Sequence, residues 1–341
     1  MAQDRVRIAD VADSLGLSTA TVSKVIHGKT EKISDETVKR VQQELERSGY
    51  IPNMAAILLA RNNSRIIGVV VNDNEKYEGR VLEDGFVMAS INALSHEVNE
   101  KGYFLMIKTT SDISEIPVFA SMWNMDGLIL MGFCEADYEK LRNQMRISFV
   151  VYDGYFEKCS KVVNLVINHY DGGCQAGKYL KELGHKKALC IADNFICMDQ
   201  ERIEGFRDAF GRQGTLRWEI PKTEKERMCF YEDKYRELLK DNVTAVFAVS
   251  DFYALEFMRF LQGKGIQIPK DIQIIGFDDN MASRESNPAL TTIHQEAPLR
   301  AKTAIKCLEE MRDGAECETE IVLPVALIKR ESTGELSCQS L

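Results

Sequence analysis

Thr19, Ala20, Ser23 and Lys24 lie at helical spacing within DVADSLGLSTATVSKVIHG, residues 10–28, so two hydroxyls, a methyl group and an ammonium share one face of a short helix. Short polar side chains near a helix N-terminus suit the major groove of DNA, where they reach base edges while the helix end favours a phosphate. The elements that must position them are legible on either side. Val11, Ala12 and Leu15 form an apolar stripe, Gly16 permits a sharp turn, and Ser18 stands where an N-cap starts a second helix with Val22, Val25 and Ile26 facing inward. A helical hairpin that only packs would carry the same pattern, so the segment alone does not decide. Ser34, Asp35 and Glu36 then announce a third helix, a cap followed by two acids at the positive helix end, running through Val38, Val41 and Leu45 to Gly49. After Tyr50-Ile51-Pro52-Asn53 comes MAAILLAR, Met54–Arg61, apolar but too short to be stable as an isolated helix. It requires a partner to order.

Beyond Arg61 the pattern alternates strand and helix. Ile66–Val71, Phe104–Ile107, Gly127–Met131 and Phe149–Tyr152 read as strands, with a helical period from Phe86 to Lys101. A second set opens with Val162–Ile167, followed by a helix from about Tyr170 to Leu183 and strands at Ala188–Ala192, Ala245–Val249 and Ile272–Phe277. Such alternation implies parallel sheets covered on both faces, and two successive α/β units without a long linker suggest a two-lobed clamp with its boundary near 153–162. Ligands of open α/β sheets bind beyond the carboxyl ends of the strands. Asn72, Asp73, Asp153, Asn194, Ser250, Asp251, Asp278 and Asp279 stand there, and Arg202 can add a charged fork. Carboxylates and amides suit the hydroxyls of a sugar. An aspartate at a strand end, Asp251 in particular, serves equally well as a cap for the next helix.

A chain of 341 residues with 45% hydrophobic side chains supports two or three domains with substantial cores. The formal net charge is −9, unevenly placed: residues 1–61 hold nine Lys or Arg against eight Asp or Glu, a net +1, and the remainder carries −10. Only the N-terminal part approaches DNA without strong repulsion, and the placement of its cations matters more than their number. Nine cysteines without a CxxC pair fit neither a disulfide framework nor a zinc site. MAQDRVRIAD has no apolar leader segment and no later run reaches the length of a membrane span, so the expected location is the cytoplasm, with reduced thiols.

Catalytic readings are weak. GGCQAGKY, Gly172–Tyr179, matches a phosphate-binding loop until Tyr179 stands where a Ser or Thr would hold magnesium, and it does not directly end a strand. Its glycines more simply let a helix start close against the sheet. His27, His96, His169, His185 and His294 are dispersed with neither an HExxH run nor a nucleophile elbow, and His185 in LGHKK fits a helix-end cap. No enzyme, metal or cofactor is expected.

Taken in order, the segments resemble the lactose-repressor (LacI/GalR) family of bacterial transcription regulators over nearly the whole chain. The resemblance rests on the reading head at 10–28, the YIPNMAAILLA hinge, IIGVVV, DGLIL at 126–130, GGCQAGKYLKELGHKKALCI, ERIEGFRDAF, TAVFAVSD, IPKDIQIIGFDD, PALTTIHQ and LPVALIKREST. It implies a three-helix helix-turn-helix DNA-binding domain at 1–53, a hinge helix at 54–62, and a two-lobed periplasmic-binding-protein-like α/β body with parallel sheets at 63–341. Lobe 1 would comprise about 63–157 and 293–324, lobe 2 about 158–292 and 325–334. Thr19, Ala20 and Lys24 then match base-reading positions, Thr21 and Ser23 phosphate contacts, and Leu59 the hinge leucine that wedges into the minor groove. Ser18, His27, Tyr50, Asn53 and Ala56 complete the expected DNA-binding set. Arg202 and Asp278 match residues that family members turn toward polyhydroxylated or purine effectors, and Asp73, Tyr77, Asn194 and Asp251 complete the expected effector set.

Four departures from the family pattern bear on function. Lys24 replaces a common arginine and so removes a flat bidentate fork for guanine. Arg7 stands where a threonine cap is frequent, a change worth about 1 kcal/mol to the first helix unless another group caps it. His169, in NHYDGG, replaces an aspartate found in many relatives. The loop Asp73–Gly85 is longer than usual by roughly eight residues, which remodels the mouth of the site. Its Tyr77 is placed to stack on a sugar ring, though an idle loop tyrosine would look the same.

The expected partners are a near-palindromic double-stranded operator, a second copy of the chain and a small-molecule effector, most simply a carbohydrate. The closing ESTGELSCQSL is too short and polar for a tetramerising coiled coil, so a homodimer is expected. A solute-binding clamp of the transport type would share the body but not the reading head and hinge. An enzyme on the same fold ranks third.

Overall fold

The computed structural model describes residues 6–26, 28–51, 64–133, 141, 144–154 and 162–334. The hinge at 54–62, and with it Ala56 and Leu59, lies outside these residues, as do His27 and Asn53. The chain divides into two compact units, Met1–Ser64 and Arg65–Leu341.

The first unit is three helices, α1 (Ile8–Leu15), α2 (Thr19–Ile26) and α3 (Asp35–Ser48). Val11, Ala12, Val22, Val25 and Val41 form their buried core, with Leu15, Leu17, Val38, Leu45 and Tyr50 packed around it. Gly16 turns the chain between α1 and α2 at φ 66°, a left-handed conformation that favours glycine. Ser18 caps α2 by accepting from the Thr21 amide at 3.1 Å, and Ser34 caps α3 through the Thr37 amide at 3.3 Å. Arg7 cannot act as an acceptor cap. Instead the Asp10 carboxylate reaches back to the Arg7 amide at 2.7 Å, so the missing threonine is offset from within the first turn.

The second unit contains two six-stranded sheets. The first runs β11-β5-β4-β3-β1-β2, with β1 Ile66–Val71, β2 Phe104–Thr109, β3 Gly127–Met131, β4 Phe149–Tyr152, β5 Val162–Ile167 and β11 Glu320–Leu323, all parallel. The second runs β12-β10-β9-β8-β6-β7, with β6 Ala188–Ala192, β7 Thr215–Glu219, β8 Ala245–Ala248, β9 Gln273–Asp278, β10 Thr291–Gln295 and β12 Val325–Ile328. Only β12 is antiparallel, pairing with β10. Helices cover both faces, which is why β1, β3 and β6 are buried at every position and read as unbroken apolar runs.

Two lobe boundaries differ from expectation. Val162–Ile167 belongs to the first sheet, where it pairs with β4 on one side and β11 on the other. The first crossing therefore falls between Ile167 and His169 rather than at 157–158. β10 remains in the second sheet to Gln295, so the return falls near 296 rather than at 292–293. The last crossing separates Leu323 from Val325, as the family architecture implies. A β-branched run specifies a strand but not its sheet, because neighbouring strands, not periodicity, decide where it pairs.

The GGCQAGKY segment lies inside the helix His169–Glu182, so it is no phosphate loop. A Cβ on Gly172 would meet Phe277 of the sheet at 2.6 Å, whereas one on Gly173 would meet the Arg202 carbonyl oxygen at 1.9 Å. One glycine admits the sheet and the next admits the helix Cys197–Phe210, whose Gly205 returns the close approach at Tyr170.

Candidate reading head and effector cleft

In the first unit Ser18, Thr19, Ala20 and Lys24 are exposed, while Thr21 and Ser23 are half-buried. The Thr21 hydroxyl also pairs with the Ser18 hydroxyl at 2.9 Å, which ties the capping group to the first turn of the helix. Tyr50 is half-buried against the three-helix core. Of the face that sequence spacing places outward, Thr19, Ala20 and Lys24 are outward and Ser23 is half-buried, all carried on one helix whose opposite side is core.

In the second unit a cavity of about 180 Å3 opens between the two lobes. Lobe 1 contributes Asn72, Lys76, Tyr77, Asp84, Phe133, Tyr152 and Asp153 to its wall; lobe 2 contributes Asp193, Asn194, Asp199, Arg202, Phe252, Tyr253 and Asp278. Tyr77, Asn194, Arg202 and Asp278 of the expected effector set therefore converge there. Asp73 and Asp251 do not line it. Asp251 is fully buried, taking the Thr292 hydroxyl at 2.5 Å and the Asn280 amide at 3.1 Å, so it neither lines the cavity nor caps the following helix, whose cap is Ser250. Burial pushes its carboxyl up to about 6. The Asp73 amide donates to Thr110 O at 3.3 Å.

Strand-end geometry alone would have found Asp193, beside Asn194, and Tyr253, in the first turn of the helix Asp251–Gly263. Lys76 and Tyr152 carry no such signal, because a long loop and an apolar strand end hide them.

Arg202 is buried, and its Nε and one terminal nitrogen are committed inside the protein. Its Nε donates to His169 Nδ1 at 3.1 Å, one terminal nitrogen donates to Val249 O at 2.5 Å, and the guanidinium stacks 3.8 Å from the centre of the Phe277 ring. His169 in turn donates from Nε2 to Asp153 Oδ1 at 2.9 Å, and Asp153 pairs with Arg300 at 2.7 Å. Burial lowers His169 to about 4, helped by the two arginines and opposed by Asp153, so the imidazole is neutral. Because Nδ1 accepts from Arg202, the proton sits on Nε2. Burial alone would raise Asp153, but Arg300 and His169 hold its carboxyl well below the usual carboxylate range. The chain of contacts crosses from lobe 2 to lobe 1 beside the first crossing.

Asp278 is pushed well above the usual range by burial, with Asp251 and Asp84 adding to the push and Arg202 opposing it. Its Oδ1 takes the Gln295 amide at 2.6 Å. Burial also raises Asp84, and lifts Asp199 to about 6. Asp153 and Asp278 adopt positive φ, 54° and 132°, strain that clusters at the cavity rim. The Tyr152 and Tyr253 hydroxyls, one from each lobe, have no hydrogen-bond partner among the described residues. A cavity with unpaired hydroxyls, half-used carboxylates and aromatic rings can hold a small molecule rich in hydrogen-bonding groups. No group of three or more metal-ligating side chains occurs among the described residues, and none of their helices is long and apolar enough to cross a membrane.

Comparison with known proteins bears on both units of the chain. Residues 7–53 match the family described as bacterial regulatory proteins, lacI family, and residues 178–333 match a periplasmic binding protein-like domain. The HTH-type transcriptional repressor PurR of Vibrio cholerae serotype O1 is 30% identical over 345 residues, spanning 97% of this chain and 98% of that protein. PurR of Pasteurella multocida is 31% identical, spanning 95% and 98%. The lac repressor dimer bound to operator and the anti-inducer ONPF superimposes with a TM-score of 0.83 at 22% identity, covering 98% of this chain and all of that one. These relatives are repressors, not enzymes, and the chain is a DNA-binding transcriptional repressor with a ligand-binding body that belongs to the LacI family.

Proposed function

We propose that the chain binds a near-palindromic operator in the cytoplasm as a homodimer, and that a small hydroxyl-rich molecule in the inter-lobe cleft, most simply a carbohydrate, sets its operator affinity. The single observation that carries the reading is the cavity itself: carboxylates, amides and two tyrosine hydroxyls without a partner among the described residues face one space, drawn from both lobes. Ligand held by both walls stabilises one angle between the lobes, and this change of angle is the event coupled to operator affinity. The lac repressor dimer and a transcriptional regulator CelR–cellobiose complex, at a TM-score of 0.69 and 22% identity, share this fold and support the reading.

A homodimer is supported by an exposed apolar edge on lobe 1. β2 is an edge strand with Phe104 and Ile107 exposed, and Val118, Met122 and Trp123 are exposed on and just after the following helix, Glu115–Met122. Within the head, Thr19, Ala20 and Lys24 read base edges while Ser18, Thr21, Ser23 and Tyr50 face the backbone. His27, Asn53, Ala56 and the Leu59 wedge complete the DNA contacts.

The experiment is a thermal-shift screen of the full chain against sugars, sugar phosphates and purines, followed by operator binding with and without each hit. The expected result is a stabilising neutral sugar or sugar derivative that changes operator affinity. A purine hit would keep the regulator and replace the effector class. Hits that leave operator affinity unchanged would sink the coupling.

A further inference from the structure

The long loop of lobe 1 places a cation in the cleft. After β1 the chain makes a short 3-10 turn at Glu75–Tyr77, capped by Asn74, and a second at Val81–Glu83 whose Val81 is 2% exposed, so the loop is packed. It leans on lobe 2. Glu75 meets Lys222 at 3.4 Å, and a Cβ on Gly85 would strike the Asn280 side chain at 2.6 Å. Between these contacts the Lys76 ammonium lies 5.1 Å from the centre of the Tyr77 ring and 5.9 Å from that of Tyr253, an aromatic pair drawn from opposite lobes.

The opposing wall of lobe 2 is acidic. Asn194 Nδ2 donates both to Asp193 Oδ1 at 3.1 Å and to Asp199 Oδ2 at 3.0 Å, which holds two nearly buried carboxylates as one unit. Arg202 does not neutralise them by direct contact, since its bonds run to His169 and Val249. A second feature points to a ligand independently of the carboxylates: Tyr253 is 1% exposed, lines the cavity and has a hydroxyl without a partner among the described residues.

Resting on the reading of the cleft as the effector site, we propose that Asp193, Asp199, Tyr77 and Tyr253 form an ammonium subsite, that Lys76 occupies it as a tethered clasp between the lobes, and that an effector carrying a primary amine competes with this lysine. An amino sugar combines that amine with the hydroxyls that the rest of the cavity accommodates. A phosphorylated sugar meets carboxylates in the same place and is disfavoured.

The test is chemical rescue in the full chain. Lys76→Ala removes the three outer methylenes and the ammonium, a gap the size of n-propylammonium. The variant should melt several degrees below wild type, and n-propylammonium chloride should restore the loss saturably where n-propanol and matched sodium chloride do not. Wild type should not respond, and Lys76→Ala/Asp199→Asn should lose the rescue. Equal responses in wild type and Lys76→Ala, or a Lys76→Ala that melts like wild type, would overturn the proposal. If Lys76→Ala does not fold, acetylation rates read by mass spectrometry in the intact wild-type chain decide. Lys76 should label much more slowly than the exposed Lys178 and faster in Asp199→Asn, and labelling at the Lys178 rate overturns the clasp. Operator binding separates this proposal from the one it rests on. Rescue of melting without any change in operator affinity would leave the subsite standing and remove the cleft's role as effector site.

Discussion

The reading head and the cleft use polar side chains in opposite ways. In the head, Thr19, Ala20 and Lys24 are exposed on one side of α2, and the side facing the core is Val22 and Val25. At the cleft, Asp153 and Arg202 line the cavity and, with His169 and Arg300 behind them, are buried and hold one another across two lobes. The difference follows from the partner. A phosphate backbone is large and hydrated, and a solvated helix face meets it with no change to the core. A small molecule must be distinguished out of water, so its site takes charges inside, and each buried charge needs a bonded partner. Function and stability should therefore be separable in the head and entangled in the cleft.

The entanglement is broken most severely at Gly173. A Cβ there would lie 1.9 Å from the Arg202 carbonyl oxygen, so Gly173→Ala must push the two helices apart and displace Arg202. Overpacking of this kind costs about 3 kcal/mol or more where backbone opposes it, and ligand binding should be lost with the stability. A melting temperature within a degree of wild type would show that the helices yield freely. Arg202→Ala comes next. It orphans His169 Nδ1 and the Val249 carbonyl and removes the guanidinium from Phe277, so it should lower stability by about 2 to 3 kcal/mol as well as weaken the effector. Denaturant unfolding beside ligand titration checks this, and a pure affinity loss at full stability would put the cleft in the same category as the head. Lys24→Ala supplies the contrast. Stability should stay within about 0.5 kcal/mol, as for other surface changes, while discrimination at one symmetric base position falls by about 1 to 3 kcal/mol. A uniform loss over all operators, with a shallower salt dependence, would assign Lys24 to a phosphate instead.

The same contrast sets what the sequence reveals. The head is periodic: Val11, Val22 and Val25 on one side and Thr19, Ala20 and Lys24 on the other follow from helical spacing plus Gly16 and Ser18, all within 20 residues of one another. The strands of the body are legible for the same reason. Topology is not, which is why β5 falls in the first sheet against expectation. The cleft joins Tyr152 at one strand end to Tyr253 on a helix a hundred residues later, and no local pattern relates them. Strand-end position recovers Asn194 and Asp278 but also proposes Asp251, since a buried carboxylate that ties elements together and one that binds a ligand look alike until Thr292 and the Asn280 amide are placed beside it. His169 registers in sequence only as a departure from relatives; its bond to Arg202 belongs to the folded state.

His169 gives the most specific expected effect. Its folded value of about 4 lies below the ordinary 6.5 because burial disfavours the imidazolium. As pH falls, the unfolded chain therefore takes up a proton near 6.5, and the native chain does not until about 4. His169 thus adds stability in full above pH 6.5 and loses it between 6.5 and 4, by at most about 1.4 kcal/mol per pH unit. Asp199 and Asp251, raised to about 6 by burial, work in the other direction: the native state keeps their protons while the unfolded state has released them near 3.8, so they favour folding at low pH and lose that advantage as pH rises toward 6. The wild-type profile sums both. Gln at 169 can accept from Arg202 and donate to Asp153 without titrating, so His169→Gln should leave the carboxylate contribution alone and remove the imidazole one. Between pH 6.5 and 4 the melting temperature of the variant should rise relative to wild type, with the two curves parallel above pH 7. Parallel curves throughout would mean that His169 already protonates in the native cleft, and the neutral bridge between Arg202 and Asp153 would have to be abandoned.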